Sequence, residues 1–107
     1  MERNYENETV ILQLINGEYV LGRVEYKDEN NIKILKPMQI IIDPTMGGVG
    51  MIPYAIPILG KEPTDWTFRI KDVMNIVTDF NVDFKKKFDE YFSGIISEPN
   101  ASNIIVE

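Results

Sequence analysis

Apolar and polar residues alternate along most of the chain with a period of two, the pattern typical of half-buried β-strands. The alternation predicts strands at residues 9–15, 19–27, 32–43 and 51–60, and one or two short strands within 66–80 around Ile70-Lys71-Asp72. Near residue 82 the period changes to 3.6, which predicts a helix over residues 82–93. Its apolar face holds Phe84, Phe88, Tyr91 and Phe92.

The loop between the first two strands contains Asn16-Gly17, a pair that favours tight hairpin turns. A two-residue loop at this pair would place apolar residues of one strand opposite polar residues of the other. A three-residue loop over residues 15–17, with Gly17 in the left-handed conformation, makes the two apolar faces agree. The pairs predicted by this loop are Leu12 with Val20 and Val10 with Gly22.

Gly22 stands between Val20 and Val24, where a half-buried strand normally carries a side chain. A residue without Cβ permits a sharp bend and leaves room for a crossing strand, as a small barrel requires. A glycine tolerated in an ordinary meander is the alternative. With the short strands and closely spaced turns, Gly22 predicts a mostly β fold, namely a small, strongly bent, five-stranded antiparallel barrel with a C-terminal helix.

The chain divides by composition into a polar arm at residues 1–8, a folded domain at 9–96 and a flexible tail at 97–107. Pro37 indicates a bend or an edge position in the long third strand. The glycine-rich residues 45–50 are interpreted as a hairpin tip, because no Lys-Ser/Thr pair follows them as a phosphate-binding loop would need.

Composition excludes several kinds of chemistry. The 107-residue chain has no cysteine and no histidine, so thiolate or imidazole catalysis, disulfides and ordinary zinc sites are excluded. We therefore expect no enzyme activity, cofactor or metal. Seventeen acidic against eleven basic residues give a net charge of −6, which disfavours a nonspecific coat on nucleic acid. With no apolar run long enough to span a bilayer and no secretion signal, we expect a cytoplasmic location without membrane contact.

The first hairpin resembles the first motif of the Sm and Sm-like family, small ring-forming barrels of the SH3-like kind that bind RNA. Alternating apolar residues lead to Asn16-Gly17, then to Gly22 between Val20 and Val24, then to an acidic turn from Asp28 that ends in Asn31. A looser match to the second motif covers residues 68–76, where Ile70 stands at the family's glycine position. The compact pattern is similar to Sm-like proteins of bacteriophage type, whose location would be the host cytoplasm.

The resemblance implies a site for single-stranded RNA, in which an amide reads a base edge and a guanidinium stacks on the base. Carried over by position, Asn31 reads the base edge and Arg69 supplies the cation–π face. Asp28 orients the turn, and Lys71 is a further RNA-binding candidate. The turn from Asp28 to Asn31 offers no aromatic residue to oppose Arg69. Solvated turn residues without a binding role are the alternative.

The resemblance also implies a homo-oligomeric ring of about five to seven copies, joined by strand pairing. The candidate interface residues are Ile52, Tyr54, Ile56 and Ile58 of the predicted fourth strand and Val73 and Asn75 of the last strand. Pro53 and Pro57 remove two N–H donors from one edge of that fourth strand. The other edge, which keeps its donors, is therefore predicted to carry the more regular pairing.

Two functions of different classes follow from these observations. One is a ring that binds single-stranded RNA. The other is a protein-interaction or assembly module, such as a phage would use, that keeps the barrel and the ring but has no working base pocket. The first motif with Asn31 and Arg69 favours the RNA function, whereas the acidic charge, the missing stacking residue and Ile70 favour the assembly module.

Overall fold

The fold is an antiparallel sheet with two helices, seen in a computed structural model that describes residues 5–43, 45 and 47–93. The elements in chain order are β1 (Thr9–Leu14), β2 (Tyr19–Lys27), β3 (Asn31–Asp43), β4 (Gly48–Pro53), α1 (Ile56–Leu59), β5 (Asp65–Arg69), a 3-10 turn (Ile70–Asp72), β6 (Val73–Val77) and α2 (Val82–Ser93). The strand order is β4-β3-β2-β1-β6, and β5 also pairs with β3. The sheet is not closed by hydrogen bonds among the described strands.

The first hairpin has the predicted register. Leu12 pairs with Val20 and Val10 pairs with Gly22. Gly17 is left-handed at φ 92°. Its N–H donates to the carbonyl of Leu14 at 3.0 Å, and the N–H of Leu14 donates to the carbonyl of Glu18 at 2.8 Å. The three-residue loop is therefore confirmed.

The reason for Gly22 is the close approach of β3. A Cβ built on Gly22 would overlap Cγ2 of Ile34 and lie 3.0 Å from the carbonyl oxygen of Leu35. At this point the register jumps, from Leu21 opposite Met38 to Arg23 opposite Leu35. The one extra residue of β3 is accommodated by a left-handed Lys36 at φ 48° and by the adjacent Pro37. The prediction that Gly22 makes room for another strand and that Pro37 marks a bend is confirmed.

The predicted fourth strand over residues 51–60 is wrong beyond Pro53. The strand ends at Pro53, and Ala55 is left-handed at φ 58° before α1 begins. Pro57 lies in the first turn of α1, where its fixed φ and its missing N–H favour a helix over a strand. Strand pairing with β3 resumes only at β5, so the sheet has six strands and not five.

The edge of β4 that retains its N–H groups does carry the regular pairing. The N–H of Tyr54 donates to the carbonyl of Pro37 at 2.9 Å. Because N–H groups alternate sides along a strand, that of Ile52 also faces β3, and Ile52 pairs with Gln39. Pro53 therefore has its missing donor on the outer edge of β4.

The sheet has a buried apolar cluster on each face. The sheet-only cluster comprises Val10, Leu12, Leu14, Val20, Val24, Ile32, Ile34 and Phe68. The helix-covered cluster comprises Ile11, Leu21, Met38, Met51 and Phe88. The alternation along β1 and β2 divides their residues between the two clusters, as period-two patterning requires.

Helix α2 has the predicted bounds and covers the helix-covered cluster. Asn81 caps it, since its Oδ1 accepts a hydrogen bond from the N–H of Asp83 at 2.8 Å. Phe88 is fully buried, as predicted, whereas Phe84 is only partly buried. A polar contact also joins the helix to β2, because the guanidinium of Arg23 lies 3.4 Å from Asp89 and 4.1 Å from the ring centre of Phe92.

Two of the predicted segments fall largely outside the described residues. The polar arm at residues 1–8 is described only from Tyr5, and the tail at 97–107 lies outside entirely. The side chain of Tyr91 lies outside as well. The hairpin tip predicted over residues 45–50 is wrong for residues 48–50, because these already pair with residues 41–43 of β3 as the start of β4.

Candidate nucleic-acid interface

Two loops that are far apart in the chain meet at one end of β3. The first is the turn between β2 and β3, and the second is the 3-10 turn between β5 and β6. Asn31, the first residue of β3, pairs with Arg69, the last residue of β5. The N–H of Ile70 donates to the carbonyl of Asn30 at 2.8 Å. Backbone pairing therefore fixes the two loops beside each other.

Asp28 organises the β2–β3 turn. Its carboxylate Oδ1 accepts hydrogen bonds from the N–H groups of Asn30 at 2.8 Å and Asn31 at 2.7 Å. Its own N–H donates to the carbonyl of Asn31 at 2.9 Å. The two bonds from Asn30 and Asn31 stabilise the carboxylate and hold the pKa of Asp28 below its usual value. The carboxylate is engaged with its own backbone, which fits an orienting role in the turn.

A cleft of about 480 Å³, open to solvent, lies between the two loops. The lining residues are Glu29, Asn30, Asn31, Arg69, Ile70 and Lys71. Three of the four RNA-binding candidates thus line one surface, while Asp28 supports the turn without lining the cleft. The pairing of β3 with β5 brings Asn31 beside Arg69, although the two are 38 positions apart in the sequence.

The polar side chains of the cleft have no partners among the residues that the structure describes. Within residues 5–43, 45 and 47–93, no hydrogen bond or ion pair engages the side chains of Glu29, Asn30, Asn31, Arg69 or Lys71. A carboxylate and two cations therefore line the same cleft without pairing to one another. The two amides and the guanidinium remain able to hydrogen-bond or stack on a ligand.

The sequence did not predict three residues of the cleft, which are Glu29, Asn30 and Ile70. Ile70 is partly buried and packs against the sheet-only cluster, so it gives the cleft an apolar wall. The sequence feature that could have pointed to Ile70 was its place at the glycine position of the second motif. For Glu29 and Asn30 the signal was only their place in the turn, because the sequence does not show which way an exposed turn side chain points.

The oligomer-interface candidates lie at three separate places. Ile52 is in β4, Ile56 and Ile58 are in α1, and the remaining pair, Val73 and Asn75, is in β6. In the strand order, β4 and β6 are the two ends of the sheet. The candidate in β4 and those in β6 therefore lie at opposite ends of the strand order, and the pair in α1 lies outside the sheet.

Tyr54, the sixth interface candidate, is engaged within its own chain. Its ring makes edge-on contacts with Trp66 and Phe68 at centroid distances of 5.2 and 5.3 Å. Its hydroxyl donates to Glu18 at 3.4 Å, and burial, followed by the charge of Glu18, raises the pKa of Tyr54. Tyr54 thereby joins the end of β4 to β5 and to the first hairpin.

A scan of protein-family models finds none that matches this chain, and a search of curated proteins finds no match. Over the described part of the chain, no helix has the length and apolar character needed to cross a membrane. Nor do three or more acidic, histidine or cysteine side chains there form a group able to hold a metal ion.

Proposed function

We propose that this protein is a ring-forming protein of the Sm-like kind that binds single-stranded RNA, with one base in the cleft of each subunit. The observation that supports this most is the pairing of Asn31 with Arg69 across β3 and β5. These are the two residues to which the resemblance assigns the base edge and the base face. They are 38 positions apart in the sequence, yet they line one cleft, and neither side chain has a partner among the described residues.

Removing either group should weaken RNA binding. In the variants Arg69→Ala and Asn31→Ala, the affinity for oligo-U is expected to fall about tenfold or more, because stacking on one base contributes about 1–3 kcal/mol. Fluorescence anisotropy at low salt measures this affinity. Lys61→Ala is the matched control, since Lys61 is an exposed cation outside the cleft. Equal losses in Lys61→Ala and Arg69→Ala would indicate general charge attraction and contradict a base pocket.

Ring assembly is supported by the open edges of the sheet. The outer edge of β4 and the outer edge of β6 have no strand partner within the described residues. Large exposed apolar residues lie on β6 and on α1, the helix that follows β4 in the chain. Ile58 on α1 is 86% exposed and Met74 on β6 is 61% exposed. Ile15, also exposed, is held at the start of β6 by its N–H bond to the carbonyl of Asp72 at 3.0 Å. Two different apolar edges suit a head-to-tail contact that closes by rotation.

Charging one of these edges should dissociate the ring. Met74→Glu is expected to shift native mass spectra and light scattering from the oligomer to a smaller species, because it places a charge where an apolar contact would be buried. Circular dichroism should stay unchanged, since Met74 is exposed in the single chain. Val82→Glu is the control, because Val82 is 71% exposed and lies on α2, outside both β4 and β6. A wild-type protein that is a monomer at high micromolar concentration would contradict the ring.

The second candidate function is a protein-interaction or assembly module without RNA binding. It is favoured by the lining of the cleft, which includes the acidic Glu29 and no aromatic residue. Under this function the ring forms, and Met74→Glu dissociates it, but no oligonucleotide binds. The two measurements described above therefore separate the candidates.

A further inference from the structure

Glu29 and Asp28 are adjacent in the β2–β3 turn, but their carboxylates have different surroundings. The carboxylate of Asp28 accepts hydrogen bonds from the backbone N–H groups of Asn30 and Asn31, at 2.8 and 2.7 Å. Glu29 lines the cleft instead, and no described residue pairs with it although two cations line the same surface. An ionised carboxylate only accepts hydrogen bonds. The cleft thus presents an acceptor from the β2–β3 turn and donors from Arg69 and Lys71.

The four bases differ in how they fit such a surface. Uracil has a single N–H on its Watson–Crick edge, flanked by two carbonyl oxygens that a carboxylate would repel. Cytosine and adenine each have one exocyclic amine, placed beside a ring nitrogen that is an acceptor. Guanine alone has two adjacent donors, N1–H and the N2 amine, that can meet both oxygens of a carboxylate. It also carries two adjacent acceptors, O6 and N7, which suit Arg or Lys.

We propose that Glu29 makes the cleft selective for guanine, an inference that rests on the proposed RNA-binding function. The carboxylate of Glu29 accepts hydrogen bonds from N1–H and N2–H of the base. Lys71 faces the O6 side while Arg69 stacks on the base, and Ile70 gives the base an apolar surface in place of the missing aromatic residue. The backbone bond between Ile70 and Asn30, at 2.8 Å, holds the acidic and basic sides of the cleft at a fixed separation.

Anisotropy with labelled oligo-U and with alternating GU, AU and CU oligonucleotides tests this selectivity, since alternation prevents guanine quadruplexes. The GU oligonucleotide is expected to bind about tenfold tighter than the others, as a good bidentate contact to a base allows. Glu29→Gln replaces one acceptor by a donor and should abolish the preference. Asp79→Asn, which removes a charge at an exposed position outside the cleft, should retain it.

The possible results separate this inference from the function on which it rests. Binding of oligo-U as tight as that of GU, or a preference that survives in Glu29→Gln, would overturn guanine selectivity while RNA binding stands. Absence of binding by every oligonucleotide would overturn both. A preference for GU that Glu29→Gln removes and Asp79→Asn retains would support both.

Discussion

Replacing Phe88 by alanine is expected to lower the free energy of unfolding by about 3–5 kcal/mol, the range for a large aromatic residue removed from a core. Phe88 is 0% exposed and packs against buried residues of four strands in the helix-covered cluster. Because a domain of this size is stable by only about 5–15 kcal/mol, the loss should remove a large part of its stability. Urea denaturation followed by far-ultraviolet circular dichroism measures the change.

The control for Phe88→Ala is Val82→Ala in the same helix. Val82 is 71% exposed, so this variant should change stability by no more than about 0.5 kcal/mol. Fluorescence of Trp66, which packs against the sheet-only cluster, reports on the other face of the sheet. In Phe88→Ala the fluorescence and dichroism transitions should shift together, as in two-state unfolding. An unchanged Trp66 transition would mean that α2 unfolds separately and that Phe88 does not stabilise the sheet.

Replacing Gly22 by alanine is expected to destabilise the protein by about 1–3 kcal/mol, the usual cost of overpacking. The sign of this change is informative. At an unstrained site, alanine in place of glycine stabilises a protein by about 0.4–1 kcal/mol, because it reduces the conformational entropy of the unfolded chain. Here the added Cβ would overlap Cγ2 of Ile34, a buried side chain with little freedom to move. Chemical denaturation of the variant measures the effect.

A double variant tests whether this overlap is the cause. Ile34→Leu removes Cγ2 while roughly conserving side-chain volume, so it should relieve part of the overlap with alanine at position 22. The destabilisation of Gly22→Ala combined with Ile34→Leu should therefore be less than the sum of the two single effects, by about 0.5 kcal/mol or more. Strict additivity would show that the cost arises elsewhere.

The first hairpin could be predicted from the sequence because only one loop length lets its two apolar faces agree. Residues Val10, Leu12 and Val20 determine that parity, and Gly17 is able to adopt the left-handed φ that the loop needs. Helix α2 could be predicted for a similar reason, since its aromatic residues recur with a period that strands do not have. In both elements, the local pattern and the tertiary packing require the same structure.

The fourth strand could not be predicted in full because its pattern suits two structures. Ile52, Tyr54, Ile56 and Ile58 alternate as a strand does, yet Pro57 also suits the first turn of a helix. The left-handed Ala55 that starts α1 has no signal in the sequence, since alanine rarely adopts that conformation.

For the candidate site, the resemblance predicted which residues would bind RNA, and the structure shows which of them line the cleft. Asn31 and Arg69 could be named because each occupies a recognisable place in a motif, and β3–β5 pairing brings them together. The resemblance assigned an orienting role to Asp28 but gave no role to Glu29. Both are acidic residues of one turn, and only the hydrogen bonds to Asn30 and Asn31 show that Asp28 is engaged with the backbone while Glu29 is not.

The interruption between β4 and β5 has a consequence for aggregation. A long, flat, unpaired edge can recruit extended chains of any kind and start fibrils. Here the edge beside β3 is divided into segments of six and five residues, and α1 lies between them. Pro53 further removes a donor at the end of the first segment. An extended chain from an unfolded protein therefore finds no continuous row of donors and acceptors along this side of the sheet, which protects a protein with open edges from indiscriminate β-pairing.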